Sequence, residues 1–377
     1  MTWHVVTPPA TIGMLGGGQL GRYAVIAARA MGYRTMVLEP DELAPAGAVA
    51  DEHLVAAYDD GPALDRLAAA CSVVTTEFEN PPASSLERLA RSTAVAPSAA
   101  VVATAQDRRS EKRFLTEAGF PVGPWGIAES ADDRPDVGFP AILKTARLGY
   151  DGKGQTAIDS IDQIGEAWTA LGARACVLEK VLALETEVSV VVARTADGRT
   201  ATYEVSENHH VDGVLDLTVV PARVAALVAE RATELARAVA DALDYVGVLA
   251  VELFVVDGEL YVNELAPRPH NSGHWTLDAA RTSQFEQQVR AVCGIGLGAT
   301  TMTAPAVAMV NLLGDRWLRG VPDWERALAE PRTSLHLYGK ATARPGRKMG
   351  HLTVTGASAD DVAAEALEIR DAISRSR

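Results

Sequence analysis

Cysteine is scarce in this chain, and the scarcity excludes two classes at once. The three cysteines, Cys71, Cys176 and Cys293, lie far apart and are odd in number, which suits neither a disulfide framework nor a zinc cluster and leaves small buried hydrophobes as their reading. Long apolar runs are missing too. No stretch approaches the ~20 uninterrupted apolar residues of a membrane span, and Met1 to Ala10 lacks a basic segment followed by an apolar core, so a cytoplasmic location is expected. Positive charge is short: a net charge of -14 repels nucleic acid and anionic membranes. No nucleic-acid or membrane partner is expected, and a phosphorylated small molecule would need a local cationic pocket. Internal repeats are absent. What is present is 377 residues, 48% hydrophobic and 22% charged, the composition of a globular protein of two or three domains.

The first hundred or so residues alternate short apolar strands (TIGMLG, TMVLEP, SVVTTEF) with alanine-rich helical segments, the βαβαβ order of a parallel sheet covered on both faces. Pro81-Pro82 and Pro97-Ser98 mark loops, and Ala105 to Ala118 reads as one helix. A second α/β region carries strands at PAILKT, ACVLEKV, EVSVVVAR and TATYEV, then a long helix from about Ala222 to Leu243. After Gly298 come short strands (APAVAMVNLLG, SLHLYGK, GHLTVTG) and a last helix from about Ala359 to Ile373.

The richest stretch is VGVLAVELFVVDGELYVNELAPRPHNSGHWT, residues 246–276. Asp257-Gly258 is a hairpin signal between two β-rich runs carrying Glu252 and Glu264. Opposed residues share a face, so these glutamates meet only if the loop centres on Gly258, and a three-residue turn, Asp257-Gly258-Glu259, satisfies that parity. Two carboxylates on one buried face repel unless a cation lies between them, and hard oxygen ligands suit magnesium holding a nucleotide triphosphate. The bland alternative, a hairpin with both glutamates in water, fits poorly with the apolar neighbours of Glu252.

Two glycine loops point to phosphate. Gly16, Gly18 and Gly21 fit G-x-G-x-x-G between a strand and a helix, with Glu39 ending the second strand, which alone suggests a nicotinamide-dependent dehydrogenase. The same geometry serves a ribose phosphate, or merely tight packing. Lys144 sits inside the apolar run PAILKT, where a bare ammonium should meet an anion. The following loop, RLGYDGKGQ, is a candidate flap over phosphates; it lacks the Ser/Thr and spacing of a Walker A loop. Glu185, Glu187 and Ser189 share a strand face that fits either ribose hydroxyls or solvent.

Together, Lys144, GYDGKGQ, EKVL, Glu252 and Asn263-Glu264 resemble the ATP-grasp superfamily. GGGQLGR, FPAILKTARLGYDGKGQ, ENHHVDG, NELAPRPHNSGHWT and PGRKMGHL narrow the likeness, from about Ile12 to Thr355, to the 5-(carboxyamino)imidazole ribonucleotide synthase family. The resemblance implies a mixed α/β and α+β fold of ATP-grasp architecture. It comprises an N-terminal βαβ pre-ATP-grasp domain (1–105), a central ATP-grasp domain with a mobile lid (106–300) and a small β-rich C-terminal domain (301–377). It further implies ATP and Mg2+ as cofactors, 5-aminoimidazole ribonucleotide and bicarbonate as substrates, and a homodimer.

Residue roles follow from the same likeness. Arg108 and Lys144 bind ATP phosphates; Gly149, Tyr150, Asp151, Gly152, Lys153, Gly154 and Gln155 form the flap; Glu179, Lys180, Val181 and Leu182 line adenine; Glu187 takes ribose and His210 contacts the nucleotide. Glu252 and Glu264 hold magnesium with help from Asn263, which requires an irregular strand end. Arg268 faces bicarbonate with paired donors, and His270, Asn271 and Ser272 complete the anion pocket. Tyr150 and Asp151 touch the imidazole nucleotide, Lys340 and Arg347 its phosphate, Gly18, Gln19 and Leu20 approach the ribose phosphate, and Glu77 reaches the amine. Three competitors remain: a formate-dependent glycinamide ribonucleotide transformylase, a nucleotide sensor without chemistry, and the dehydrogenase.

Overall fold

Short strands buried on both faces need helices above and below, and the first hundred residues supply them. In the computed structural model, which describes residues 3–149, 152–318 and 320–373, strands Glu52–Leu54, Arg34–Leu38, Thr11–Leu15, Val73–Thr76 and Ala94–Val95 lie side by side in that order. All neighbours are parallel, as the alternating pattern predicts. Helix Gln284–Val292 clasps this sheet to the rest of the chain: Gln288 Nε2 donates to Thr75 Oγ1 at 2.8 Å while its Oε1 accepts the Val248 amide at 2.6 Å.

A four-stranded antiparallel sheet of Trp125–Ala128, Cys176–Lys180, Ala141–Thr145 and Gln155–Ile158 forms the second unit. The third is a nine-stranded antiparallel sheet running Glu259–Ala266, Gly247–Val256, Thr186–Arg194, Ser206–Val211, Val214–Val220, Ala306–Leu313, Lys348–Gly356 and Thr333–Leu337, with Thr200–Thr202 off its path. The strands after residue 301 therefore continue the central sheet, through Val214–Val220 beside Ala306–Leu313. Helix Ala226–Ala242 lays Ala232, Ala236 and Val239 on one stretch of the sheet, and helix Ala359–Ala372 lays Val362, Ala366 and Ile369 on the other. All three cysteines are buried and free.

Two expectations need correction. The single helix read over Ala105 to Ala118 is two, Ala99–Gln106 and Arg108–Glu117. Asp107 between them is extended (φ −127°, ψ 110°), and its carboxylate accepts the Arg109 amide at 3.0 Å, so the second helix is capped and starts at Arg108. The hairpin turn is also shorter than parity seemed to demand. Val256 pairs with Glu259 across a two-residue Asp257-Gly258 turn, both residues having positive φ (49° and 73°), the geometry that matches strand twist. Parity is restored further along: Leu253 pairs with Val262 but Glu252 with Glu264, so Asn263 is an extra, bulged residue.

Candidate active site

That bulge is what makes a site. It brings Glu264 opposite Glu252 and leaves Asn263 without a ladder partner, its Oδ1 buried and making no hydrogen bond among the described residues. Helix Arg108–Glu117 clamps the bulge from outside: Lys112 Nζ donates to the Asn263 carbonyl at 2.9 Å, and Glu111 Oε1 accepts the Leu265 amide at 2.7 Å. Burial, with the charge of Glu264 adding to it, pushes the Glu111 carboxyl up to about 8.

Both hairpin carboxylates are paired with cationic or donor side chains. Arg108 Nη1 donates to Glu264 at 2.9 Å, and His270 Nε2 lies 2.9 Å from Glu252. Burial alone would raise the pKa of Glu264, but the Arg108 and Lys144 charges outweigh it and hold the carboxyl well below its ordinary range. Two carboxyl groups and an orphaned amide oxygen form an oxygen donor set that fits Mg2+. A second cluster does not fit an ion. Ligand atoms of Asp278, His336 and His351 come within 4.8 Å of one another, but the two imidazoles stack at 4.5 Å and 17°, so their lone pairs run side by side.

The glutamates open onto a cleft of about 680 Å³ lined from all three sheets. Arg268 and His270 line it beside Glu252 and Glu264, as does Asn271, whose side-chain nitrogen and oxygen are both buried and make no hydrogen bond among the described residues. Arg268 is held by Glu79 at its Nε (2.5 Å) and by the Pro269 carbonyl at Nη1 (3.2 Å). Its charge outweighs burial and keeps the Glu79 carboxyl below its ordinary range. Arg108, Gly149, Lys153 and His210 also face the cleft, and Lys340 and Arg347 close it from the C-terminal region. Arg344 and Lys348 line it as well; the sequence reading missed both, although Lys348 ends the PGRK motif that was its signal and Arg344 immediately precedes it.

Other predicted residues have different partners. The Gly17 amide donates to Glu39 and the Gly18 and Gly21 amides to Glu77, at 2.7–2.8 Å, so these three amides of the first glycine loop are taken by the chain's own carboxylates. Gln19, Leu20 and Glu77 reach the cleft; Gly18 is not on its wall. Glu77 is buried, which raises its pKa against the pull of those amides. Glu187 pairs with His210 at 2.9 Å and faces an adjoining cavity of about 610 Å³ that shares His210 with the first. Burial would lower the His210 pKa, but Glu187 raises it. Gly152 packs against the Asp212-Gly213 turn, where a Cβ would meet the Asp212 carbonyl at 2.7 Å. Gly154 ends the flap and Gln155 begins the strand opposite Lys144. Tyr150 and Asp151 lie outside the described residues.

Lys144 does meet an anion, and that anion is Glu179. Glu179 lies 3.1 Å from both Lys144 and Lys112 and so forms a buried charge link between them. The Lys180 and Val181 amides bond to the Pro124 and Pro140 carbonyls, and Val181 and Leu182 follow directly on Cys176–Lys180, an inner strand of the four-stranded sheet. Burial would raise the Glu179 pKa, yet the two lysines and Arg108 hold it at about 2. A carboxylate depressed from about 4.5 to about 2 adds stability that is full above about pH 4.5 and disappears as pH falls through 2, of order 3 kcal/mol. Urea unfolding across that window should show the wild-type curve falling. Glu179→Gln should be less stable at pH 7, with a flatter curve that approaches wild type near pH 2.

Comparison with known proteins places this geometry. Three family profiles match in chain order: the ribonucleotide synthetase pre-ATP-grasp domain over residues 9–106, the ATP-grasp domain over 113–285, and the phosphoribosylaminoimidazole carboxylase C-terminal domain over 307–365. The chain is 46% identical to the N5-carboxyaminoimidazole ribonucleotide synthase of Brucella melitensis over 92% of its own length and 96% of that protein. With the Bacillus subtilis enzyme of the same name it shares 42% identity over 94% and 93%. An ADP complex of an N5-carboxyaminoimidazole ribonucleotide synthetase superposes with TM-score 0.91 at 40% identity, covering 100% of both chains. The Aspergillus clavatus enzyme in complex with ADP and 5-aminoimidazole ribonucleotide gives 0.86 at 31%, covering 96% of this chain and 98% of that one.

Proposed function

Because the chain belongs to the N5-carboxyaminoimidazole ribonucleotide synthase family, it carries out the ATP-dependent carboxylation of 5-aminoimidazole ribonucleotide in purine biosynthesis, and we propose the residues through which it does so. Bicarbonate attacks the γ-phosphate of ATP, carboxyphosphate forms and ADP leaves, and the carboxyl group passes to the exocyclic amine with release of phosphate. No covalent enzyme intermediate is needed, so the chain's task is to align reactants and neutralise charge.

Arg108, Lys144 and the Gly149 to Gln155 flap grip the triphosphate, Glu187 and His210 the nucleoside, and Lys180 to Leu182 border the base. Glu252, Glu264 and Asn263 would hold Mg2+, which when bound offsets the charge developing on the phosphates. Arg268 orients bicarbonate, with His270, Asn271 and Ser272 completing the pocket. Lys340, Arg347 and the neighbouring Arg344 and Lys348 take the substrate phosphate, and Gln19, Leu20 and Glu77 border its ribose and amine. The supporting observation is the meeting of two carboxylates with Arg268 and His270 on one wall, His270 being only 2.9 Å from Glu252. The protein acts in the cytoplasm as a homodimer, a state that light scattering checks.

The test is ADP release by the purified protein. Turnover should require both 5-aminoimidazole ribonucleotide and bicarbonate, and formate should not replace bicarbonate. ADP release driven by formate and glycinamide ribonucleotide would move the protein to the transformylase reaction, and ATP binding without turnover would make it a sensor.

A further inference from the structure

Behind His270 runs a line of buried polar side chains of which the reaction above uses only the first, Ser272. Thr218, Asn208, Ser189 and Ser272 are 0%, 6%, 0% and 0% exposed. The first three stand on adjacent strands of the large sheet, Val214–Val220, Ser206–Val211 and Thr186–Arg194, with Asn208 paired directly to Thr218 and Ser189 paired to Glu252. Polar groups in so apolar a place are costly unless each finds a partner. Here each does. Thr218 Oγ1 donates to Asn208 Oδ1 (3.1 Å), Asn208 Nδ2 donates to Ser189 Oγ (2.8 Å), Ser189 Oγ meets Ser272 Oγ (2.7 Å), and Ser272 Oγ meets His270 Nδ1 (2.8 Å).

Hydroxyl protons can turn either way, but one link in this line cannot. The backbone amide of Ser272 donates to His270 Nδ1 at 3.3 Å, and an amide N–H is never an acceptor. Nδ1 therefore carries no proton. The Ser272 hydroxyl, 2.8 Å from the same lone pair, must donate to it, and its oxygen is free to accept from Ser189. Ser189 has that proton to give because its own oxygen accepts from the Asn208 amide. Every donor points the same way, an order in which each bond strengthens the next. The imidazole proton is left on Nε2, facing Glu252 at 2.9 Å.

We propose that Ser189, Asn208 and Thr218 are positioning residues for the carboxylation, forming with Ser272 a one-way hydrogen-bond line that fixes His270 as an imidazole protonated on Nε2. The inference rests on the reading of His270 as part of the anion pocket. In that tautomer His270 enters the cleft only as a donor. Its one proton can be shared between Glu252 and an oxygen of bicarbonate or carboxyphosphate, and it cannot take a proton from the substrate amine through Nε2. A fixed donor also needs no reorganisation as charge builds on the oxygen it faces.

Asn208→Asp is the direct test, because it keeps the shape of the side chain and replaces the donor by an acceptor. Ser189 would then turn its proton toward position 208, Ser272 toward Ser189, and His270 Nδ1 would lose the closer hydroxyl donor at 2.8 Å and keep only the longer amide donor at 3.3 Å, too weak alone to hold the tautomer fully. With 15N-histidine protein at pH 8, long-range proton–nitrogen spectra, assigned by the peaks lost in His270→Gln, should show the Nε2-protonated form in the wild type and its loss or mixing in Asn208→Asp. The kcat should fall at least tenfold with the KM for ATP within threefold. Ser189→Ala should shift the same resonances in a chain that needs no new charge, and Thr218→Ser should restore what Thr218→Val loses. A wild-type His270 protonated on Nδ1, or His270 resonances unchanged by both Asn208→Asp and Ser189→Ala, overturns the line. If the wild type fails to release ADP with its two substrates, the functional reading falls instead, and the spectra still decide the tautomer.

Discussion

Glu264→Gln is expected to lose at least a thousandfold in kcat while the protein melts within a few degrees of wild type. Glutamine is the same size, sits on the same bulge and still accepts a hydrogen bond from Arg108, which now lies 2.9 Å from the carboxylate. The backbone clamp survives as well, since Lys112 holds the Asn263 carbonyl and Glu111 the Leu265 amide, neither through the Glu264 side chain. What disappears is one of the two negative charges that draw a divalent ion to this wall. Losing metal-borne stabilisation of the triphosphate is worth several kcal/mol, and about 4 kcal/mol corresponds to a factor of about 10³. ADP release beside a thermal melt measures both halves. Wild-type turnover in Glu264→Gln would remove the metal assignment, whereas a collapsed melt would show that Glu264 holds the fold through Arg108.

How far the sequence discloses this site depends on which contacts are local. Glu252 and Glu264 are legible because a strand alternates faces and Asp257-Gly258 announces the turn. The bulge at Asn263 is not, since it is clamped by Lys112 from a helix some 150 residues upstream in the chain. Lys144 is legible as a buried cation in need of an anion, but nothing nearby in sequence says that Glu179 is the anion, and the family likeness sends Glu179 to adenine instead. The first glycine loop reads as a phosphate cradle because local sequence reveals backbone freedom; it does not reveal Glu39 and Glu77, which arrive from two later strands to take its amides. The parallel N-terminal sheet was plain from alternation alone, and the joining of the C-terminal strands to the central sheet was hidden because it rests on pairing between residues 217–220 and 307–310. Thr218 carries no motif, Asn208 is legible only as part of ENHHVDG and Ser189 only as one of a strand face shared with Glu185 and Glu187: that the three form one line becomes meaningful through the backbone amide aimed at His270 Nδ1.

Arg268→Lys should behave almost as badly as Arg268→Ala, with kcat/KM for bicarbonate down at least about a hundredfold in the first and about a thousandfold in the second. The guanidinium does three things at once. Its Nε meets Glu79 from the N-terminal sheet, its Nη1 meets the Pro269 carbonyl, and among the described residues its Nη2 makes no hydrogen bond and is left for the substrate anion. A lysine ammonium is a point charge on a flexible stem and cannot keep Glu79 while presenting a planar pair of donors to a carbonate-sized anion. It would settle against Glu79, whose carboxylate is already the nearest anion, and the pocket would lose its orienting group while keeping its net charge. If charge alone mattered, lysine would suffice. Steady-state ADP release at varied bicarbonate separates the cases: a lysine variant within threefold of wild type means that Arg268 acts by charge and not by geometry, and the carboxyphosphate pocket must then be sought elsewhere on the cleft wall.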